Sequence, residues 1–333
     1  MTSGAKPLLS RVAESVYWMS RYIERAENVA RFIDVNLRLT LDAPSGMRQQ
    51  WQPLIDTSGD SVSFAARFGE ANQDNVIEFL TFDEENPNSV VSCLRAAREN
   101  ARTVRDTVSS EMWEQVNKVY LMMQEHVAAD RDGLSPYDLF YRLRMGCHLF
   151  QGITDSTMSH NEAWHFIRLG RKLERADKTT RLLDVKYYII LPSVFAVGTP
   201  SDEIHWSAVL KSVSGFEMYR KRHGRITPAR LVEFLLLDTE FPRSVRYCLW
   251  TASDSLHAIT GTPQGSFRNE AELALGRLRA EMDYAQLDHI IVGGLHEFLD
   301  TFQTKLNSMD EKVFETFFAL RPLAQVSQAA YQS

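Results

Sequence analysis

Apolar residues recur at helical spacing over the first forty residues of the chain. Steps of four and three residues join them into one seam, formed by Val12, Val16, Met19, Ile23, Ala26, Ala30, Ile33 and Leu37. This spacing predicts a long amphipathic helix. The segment Ala-Pro-Ser-Gly at 43–46 ends the helix, because proline and glycine interrupt helical structure. We expect its solvated arc to consist of Ser20, Glu27, Asp34 and Arg38.

The same periodicity continues along the rest of the chain, without the alternating pattern of a strand. It predicts helices over 48–69, 73–81, 87–107, 109–129, 135–158, 161–190, 203–214, 216–222, 228–237, 242–260, 269–283 and 286–318. Loops are expected at 130–135, 198–201 and 261–266. The predicted fold class is therefore all-α, a multi-helix bundle.

Two motifs occur twice, in the same order. Arg-Tyr-Ile-Glu-Arg-Ala at 21–26 matches Arg-Lys-Leu-Glu-Arg-Ala at 171–176, an offset of 150 (174 minus 24). The segment 78–90 matches 233–245 at an offset of 155 (238 minus 83), with Asp, Glu and Pro at equivalent places. Two motifs that recur in order at nearly one offset indicate that a helical unit has been duplicated.

The repeat suggests how the chain is organised. We assign a first helical repeat to 8–150 and a second to 151–320, packed together as one compact domain. An internal pseudo-two-fold axis is one way to relate the two repeats. Residues 1–7 and 322–333 are expected to be loose termini.

Composition narrows the class of protein. Hydrophobic residues make up 44% and charged residues 24% of the 333 residues, as in ordinary globular proteins. The net charge of -6 disfavours a general nucleic-acid binder. Cys93, Cys147 and Cys248 form no CxxC pair, which disfavours a zinc site or a disulfide framework. Residues 1–7 hold no apolar signal segment, and no apolar run is long enough to span a membrane. We therefore expect a cytoplasmic protein.

The Glu-Arg motif places charge among apolar neighbours. On the first helix, Arg21, Glu24, Arg25 and Asn28 lie beside apolar faces, where an unpaired charge is costly. These side chains must pair with one another, with the acids of the second motif, or with a ligand. One interpretation is an internal salt-bridge network that locks helices together. The other is a charged cavity for an anionic or zwitterionic small molecule, since the arginine fork matches carboxylate and phosphate geometry.

The second motif carries two carboxylates before a proline in each copy. They are Asp83 and Glu85 before Pro87, and Asp238 and Glu240 before Pro242. Proline is favoured at the first position of a helix, and carboxylates there complement the helix dipole. We predict that one carboxylate of each pair caps the helix. The other faces Arg25 or Arg175, or holds a divalent cation.

A histidine-containing cluster precedes the second Glu-Arg motif and has no histidine counterpart in the first copy. Glu162 and His165 show the Glu-x-x-His spacing of carboxylate di-iron bundles, but such bundles need a second pair, and Asp254 with His257 is a poor one. Otherwise His160 and His165 cap a helix or pair with an adjacent acid. The sequence also lacks a nucleotide-binding glycine loop, a nucleophile elbow and an HExxH helix. We predict no metal and no cofactor.

Three segments resemble the alpha-E domain family, a bacterial all-helical family named for its Glu-Arg motif. They are Tyr-Ile-Glu-Arg-Ala-Glu at 22–27, Trp-His-Phe-Ile-Arg-Leu-Gly-Arg-Lys-Leu-Glu-Arg-Ala at 164–176 and Phe-Leu-Leu-Leu-Asp at 234–238. The likeness runs from about Leu8 to Phe318. Members of this family are typically encoded beside, or fused to, circularly permuted ATP-grasp proteins, often with transglutaminase-like peptidases. ATP-grasp enzymes activate a carboxylate as an acyl phosphate and join it to an amine.

The resemblance implies a role in an amide- or peptide-forming pathway. Our leading hypothesis is an enzyme or enzyme subunit that acts with an ATP-grasp ligase to form or modify an amide bond on a small peptide or amino acid. The predicted substrate-binding residues are Arg21, Arg25, Asn28, Asp83, Glu85, Arg168, Arg171, Arg175, Asp238 and Glu240. The predicted catalytic residues are Glu24, Glu174, His160 and His165. Burial is expected to raise the pKa of a motif glutamate toward neutrality, as general acid-base catalysis requires.

Two alternatives remain open on the sequence. The chain is a non-catalytic scaffold for the ligase, with the Glu-Arg motifs as struts, or it is a metal-dependent helical-bundle enzyme. Gly170 replaces Ser20, and Lys172 replaces Tyr22, so the two copies need not share one role. No nucleic-acid or membrane partner is expected, and a homo-oligomer is compatible with the sequence.

Overall fold

A computed structural model describes residues 8–42, 51–129, 134–190 and 200–319. The described residues form fifteen α-helices and no strand, which confirms the predicted all-α class. The first half contains α1 (Ser10–Asp42), α2 (Gln52–Ser58), α3 (Ser61–Arg67), α4 (Gln73–Ile77), α5 (Val90–Thr103), α6 (Ser110–Ala128) and α7 (Pro136–Thr157). The second half contains α8 (Glu162–Ile190), α9 (Pro200–Ser212), α10 (Phe216–His223), α11 (Pro228–Leu237), α12 (Val245–Thr260), α13 (Glu270–Asp283), α14 (Leu287–Gly293) and α15 (Leu295–Val313). The predicted loose termini, and residues 130–133 and 198–199 of the predicted loops, lie outside the described residues. Residues 200 and 201, predicted as loop, instead begin α9.

The long helices α1 and α8 pack against each other at the centre of the molecule. Helices α5 and α7 flank α1, while α12 and α15 flank α8. Helix α6 joins the first group and α13 joins the second. The short helices cross over, because α2 packs on α8 and α9 packs on α1. One hydrophobic cluster contains residues of both halves, so the two halves share a core.

The predicted solvated arc of α1 is wrong at three of its four positions. Ser20, Glu27 and Asp34 are buried, and only Arg38 is exposed. The reason is that α1 is the central helix, with α5, α7, α8 and α9 around it. A helix enclosed on all sides has no solvated face, so its polar residues must find partners inside the protein.

Glycines divide two of the predicted helices. The helix predicted over 48–69 is interrupted at Gly59, and the one predicted over 286–318 is interrupted at Gly294. Both glycines have left-handed backbone conformations, with φ of 86° and 97° respectively. Glycine adopts this conformation without steric penalty, and it ends a right-handed helix. The helix predicted over 73–81 continues from α4 as a π-helical segment, Glu78–Phe82.

Serines, not the prolines, start α5 and α12. Ser89 is the N-cap of α5 and accepts a hydrogen bond from the Ser92 backbone N–H. Ser244 does the same for α12 with the backbone N–H of Tyr247. The prediction that Pro87 and Pro242 open these helices is therefore wrong, because both prolines precede the caps. A serine hydroxyl satisfies an amide that the first helical turn leaves unpaired.

The crossing of α1 and α8 brings Ser20 close to Gly170. A Cβ atom on Gly170 would lie 2.6 Å from the Tyr17 carbonyl oxygen and 2.8 Å from Ser20 Oγ. Ser20 is the residue that corresponds to Gly170 at the offset of 150 (170 minus 20). Where a two-fold axis relates two repeats, equivalent residues next to the axis lie close to each other. Ser20 and Gly170 are such a pair, and there is room for the side chain of only one of them. This agrees with the duplication, which stays an interpretation.

A membrane-spanning helix needs about 20 predominantly apolar residues. No helix of the described segments is both long and apolar enough to cross a bilayer.

Candidate functional site

Glu174 of α8 is enclosed by two arginines of α1. Its side chain is 0% exposed to solvent. Arg25 binds it through two hydrogen bonds, from Nε to Oε1 at 2.7 Å and from Nη2 to Oε2 at 2.9 Å. Arg21 donates from Nε to Oε2 at 2.9 Å. Both carboxylate oxygens therefore accept charge-assisted hydrogen bonds from the other central helix.

Glu24 of α1 has the reciprocal arrangement. Arg175 of α8 donates from Nε to Oε1 at 2.7 Å and from Nη2 to Oε2 at 2.8 Å. Arg243 adds a bond from Nη1 at 3.1 Å, and Gln151 adds one from Nε2 at 2.9 Å. The Glu24 side chain is also 0% exposed. Each Glu-Arg motif thus supplies the glutamate for the other motif's arginine.

The arginines decide the charge of both glutamates. Burial on its own would raise the pKa of Glu24, but Arg175 and Arg243 outweigh it and hold this pKa below its usual range. Burial would likewise raise the pKa of Glu174, but Arg25 and Arg21 lower it. The expectation that burial brings these pKa values toward neutrality is wrong. The two carboxylates are ionised at neutral pH and have no contact with solvent.

Other polar residues, buried or half-buried, complete the network. Arg243 Nη2 donates to Glu27 at 2.8 Å, and Arg243 Nη1 donates to Asn28 at 2.9 Å. In the other half, Arg25 Nη1 donates to Asn88 at 2.7 Å. Arg243 and Asn88 are equivalent at the offset of 155 (243 minus 88). Arg21 also forms an ion pair with Asp310 of α15.

Several members of this network were not predicted from the sequence. They are Glu27, Asn88, Gln151, Arg243 and Asp310. One signal was present for two of them, because the offset of 155 sets Arg243 and Asn88 directly after the prolines of the second motif. Gln151 and Asp310 lie in no repeated motif, so only the packing of α7 and α15 reveals them.

The acids of the second motif lie elsewhere. Asp83 accepts a hydrogen bond from Arg67 Nη1 at 2.6 Å, and Glu85 lies 3.0 Å from Arg67 Nη2. Arg222 pairs with Asp238 and Glu240 in the same way. The prediction that these acids cap a helix or face Arg25 or Arg175 is therefore wrong. Each pair instead binds an arginine that precedes it in its own repeat.

The two histidines stand apart from the Glu-Arg network. His160 is exposed and stacks on Trp164, with ring centroids 4.0 Å apart. Burial, followed by the charge of Arg168, lowers the pKa of His165. Neither histidine bonds to Glu24 or Glu174 in the described segments. Glu162 accepts a hydrogen bond from the Leu8 backbone, and no group of three or more potential ligands among His, Cys, Asp and Glu occurs in the described residues.

Three cations that have no hydrogen-bonded carboxylate within the segments described lie on one side of α8. The nearest acid to Arg171 is Asp155, at 3.7 Å, beyond hydrogen-bond distance. Lys172 is buried, and its Nζ lies 4.7 Å from the centre of the Tyr247 ring. Arg168 stacks on Trp164 and has no ion pair among the described residues. Burial lowers the pKa of Arg171, and it lowers the pKa of Lys172 to about 7.

The sequence is similar to known proteins over most of its length. Residues 8–318 match the model of the family Alpha-E, described as a predicted alpha-helical domain with a conserved ER motif. The chain belongs to the Alpha-E family. The reciprocal pairs Glu24–Arg175 and Glu174–Arg25 show what the two ER motifs of this Alpha-E protein contact.

Uncharacterized proteins of Mycobacterium bovis and Mycobacterium tuberculosis are similar to this Alpha-E chain. Each is 25% identical to it over 285 residues, which cover 78% of this chain and 31% of the relative. The chain therefore spans less than a third of the length of these relatives. No solved structure matches the chain.

Proposed function

We propose that this Alpha-E chain acts with a circularly permuted ATP-grasp ligase in forming or modifying an amide bond on a small peptide or amino acid. Its own part is to bind a carboxylate of the substrate. The observation that supports this is the excess of cations on α8, where Arg168, Arg171 and Lys172 have no hydrogen-bonded carboxylate in the described part of the chain. Lys172 is buried, and a buried cation without a hydrogen-bonded counter-ion is costly, so an anionic substrate would stabilise this group of cations.

The Glu-Arg pairs have a different role in this proposal. Arg21, Arg25 and Arg175 are already bound to glutamates, so they are less available to a substrate than Arg171. Glu24 has no solvent contact and a lowered pKa, which suits a fixed counter-ion better than a proton carrier. The pairs hold α1 against α8, and so fix the position from which Arg171 and Lys172 project.

The test is product analysis by mass spectrometry. The chain is mixed with an ATP-grasp ligase from the same genome, ATP and a panel of amino acids. We expect an amide product that forms only when the chain is present. Arg171→Gln should raise the amino-acid concentration for half-maximal product about tenfold, which is the loss of about 1.4 kcal/mol of binding. Arg95→Gln is the control, since Arg95 is half-exposed on α5 and lies in the first repeat.

A second candidate is a scaffold that docks the ligase without binding substrate. It is supported by the saturation of both motif glutamates, which leaves the network with a structural role. In that case the same product forms with and without the chain, and Arg171→Gln has no effect. That result would overturn our proposal and leave the scaffold as the better explanation.

A further inference from the structure

A cavity of about 310 Å³ lies between the turn before α12, the outer face of α12 and the end of α13. Its lining residues are Thr239, Arg246, Tyr247, Trp250, Asp283 and Tyr284. Small-molecule sites occupy about 300–1,000 Å³ and combine aromatic walls with a few polar groups. This cavity has both, and none of its residues belongs to the Glu-Arg network.

The equivalent positions in the first repeat are joined by an ion pair. At the offset of 155, Thr239 corresponds to Glu84 and Trp250 corresponds to Arg95 (239 minus 84; 250 minus 95). Arg95 Nη1 and Glu84 Oε2 are 2.7 Å apart, so the two positions are bridged there. In the second repeat neither residue is charged and no bridge forms. Tyr247 also adds an aromatic ring where the first repeat has a serine. The residues that line the cavity at positions 239, 247 and 250 therefore differ in chemistry from their counterparts in the first repeat.

Two aromatic walls of the cavity are open to solvent. Trp250 is 50% exposed to solvent, and Tyr284 is 86% exposed. Arg279 stacks on the Trp250 ring at 5.4 Å, which holds the indole in place. Exposed tryptophan and tyrosine beside arginine are typical of binding sites, because they supply a large apolar contact for little loss of entropy.

The charges of the lining residues, taken together with the neighbouring Arg279, favour an anion. Asp283 accepts a hydrogen bond from Arg246 Nε at 2.9 Å and another from Arg279 Nε at 3.3 Å. One carboxylate thus serves two guanidinium groups, and one positive charge is in excess. Arg246 Nη1 has no protein partner in the described residues and remains available to a ligand. Each carboxylate oxygen of Asp283 already accepts a hydrogen bond from an arginine. The amine of a ligand would have to compete with these arginines for Asp283.

We propose that this cavity binds the C-terminal aromatic residue of a short peptide. Arg246 binds the terminal carboxylate, and the ring of the ligand packs between Trp250 and Tyr284. The site is separate from the cations of α8, although the Tyr247 ring contacts Lys172 as well as lining the cavity. The proposal goes beyond the ligase hypothesis and does not depend on it.

The test is isothermal titration of the full chain with three matched probes. N-acetyl-L-phenylalanine carries both the ring and the carboxylate. Its C-terminal amide lacks the charge, and N-acetyl-L-alanine lacks the ring. We expect the first probe to bind, and each of the others to bind about tenfold more weakly or worse. No binding of the first probe, or equal binding of the amide, would overturn the proposal.

Substitutions then test whether N-acetyl-L-phenylalanine binds in this cavity. Trp250→Ala and Arg246→Gln should each weaken binding of N-acetyl-L-phenylalanine about tenfold. Arg95→Gln, at the first-repeat counterpart of Trp250, should leave it unchanged. Trp250 is half-exposed, so its substitution tests the site even if Arg246→Gln lowers the melting temperature. Undiminished binding in the Trp250→Ala variant would place the ligand elsewhere and refute the site. The titration contains no ligase and no ATP, so its outcome is independent of the proposed function.

Discussion

At Glu174, burial and pairing act in opposite directions. Burial disfavours a charged carboxylate, while Arg25 and Arg21 favour it, and the pairing prevails. This balance has a consequence for any substitution. Removing one charge from such a cluster does not simply delete an interaction, because it leaves the partner charges buried without compensation.

Glu174→Gln should therefore destabilise the fold. We expect the free energy of unfolding to fall by about 3–5 kcal/mol, because Arg25 loses its counter-ion and Arg21 keeps only Asp310. Urea denaturation followed by circular dichroism measures the change. Glu85→Gln is the matched control, since Glu85 also pairs with an arginine but its side chain is 80% exposed. If both variants lost the same small amount of stability, the buried ion pairs of Glu174 would not be what holds α1 against α8.

Lys172 makes stability depend on pH. Its pKa is lowered by burial to about 7 in the folded chain, from an ordinary value of 10.5. Between these values the unfolded chain binds more protons, so the contribution of this group to the free energy of unfolding rises with pH. The stability of the wild type relative to Lys172→Met should increase from pH 7 to 9, by at most about 1.4 kcal/mol per pH unit.

Urea titrations at pH 7, 8 and 9 measure this difference for both proteins. Lys221→Met serves as the control, because Lys221 is exposed on α10. We expect its stability to stay parallel to that of the wild type over the same range. If the difference in free energy of unfolding between the wild type and Lys172→Met did not change with pH, Lys172 would keep its proton in the folded chain.

At the scale of elements, α1 and α8 approach each other closely at Gly170. Gly170 permits it, since any Cβ there would lie 2.6 Å from a backbone carbonyl oxygen of α1. A backbone atom cannot rotate away as a side chain does, so the two helices would have to separate. Their separation would also stretch the reciprocal Glu-Arg pairs that join them.

Gly170→Ala should accordingly lower stability by about 1–3 kcal/mol, the usual cost of overpacking a core. Gly152→Ala in α7 is a matched control, because a Cβ there meets no atom within 4 Å. Alanine favours a helix over glycine, so we expect this control to gain about 0.5–1 kcal/mol. Thermal melts of both variants measure the effect. A gain in stability for Gly170→Ala would mean that α1 and α8 can move apart without cost.

At the scale of the whole molecule, the two halves are interlocked. Helix α2 of the first half packs on α8, and α9 of the second half packs on α1. Each half also supplies the arginines that neutralise the buried glutamate of the other. Neither half could keep its core and its charges satisfied on its own.

The chain should therefore unfold in one cooperative transition. We expect tryptophan fluorescence and far-UV circular dichroism to give coincident urea curves, as two-state unfolding requires. The second repeat, 151–320, should not fold when expressed alone, because Glu174 would lose Arg21 and Arg25. Two separate transitions, or a stable isolated repeat, would show that the halves are independent domains.

The sequence by itself determined the features that depend on local periodicity. Apolar spacing predicted the helices, and the positions of Arg21, Glu24 and Arg25 among apolar neighbours predicted that they must be paired. The repeated offsets also identified which residues of the two halves correspond. These conclusions needed no knowledge of how the helices pack, because period and neighbours are properties of a single element.

Only the tertiary structure decided which partners the charges have. Glu24 pairs with Arg175, 151 residues away, and so its pKa falls where burial alone would raise it. Glu27 and Asp34 are buried because other helices surround α1, and not because of their own spacing. The helical period predicts which residues share a face of a helix. Which element covers that face depends on the tertiary packing. The charge state of a buried side chain follows from that packing, and so did not follow from the sequence.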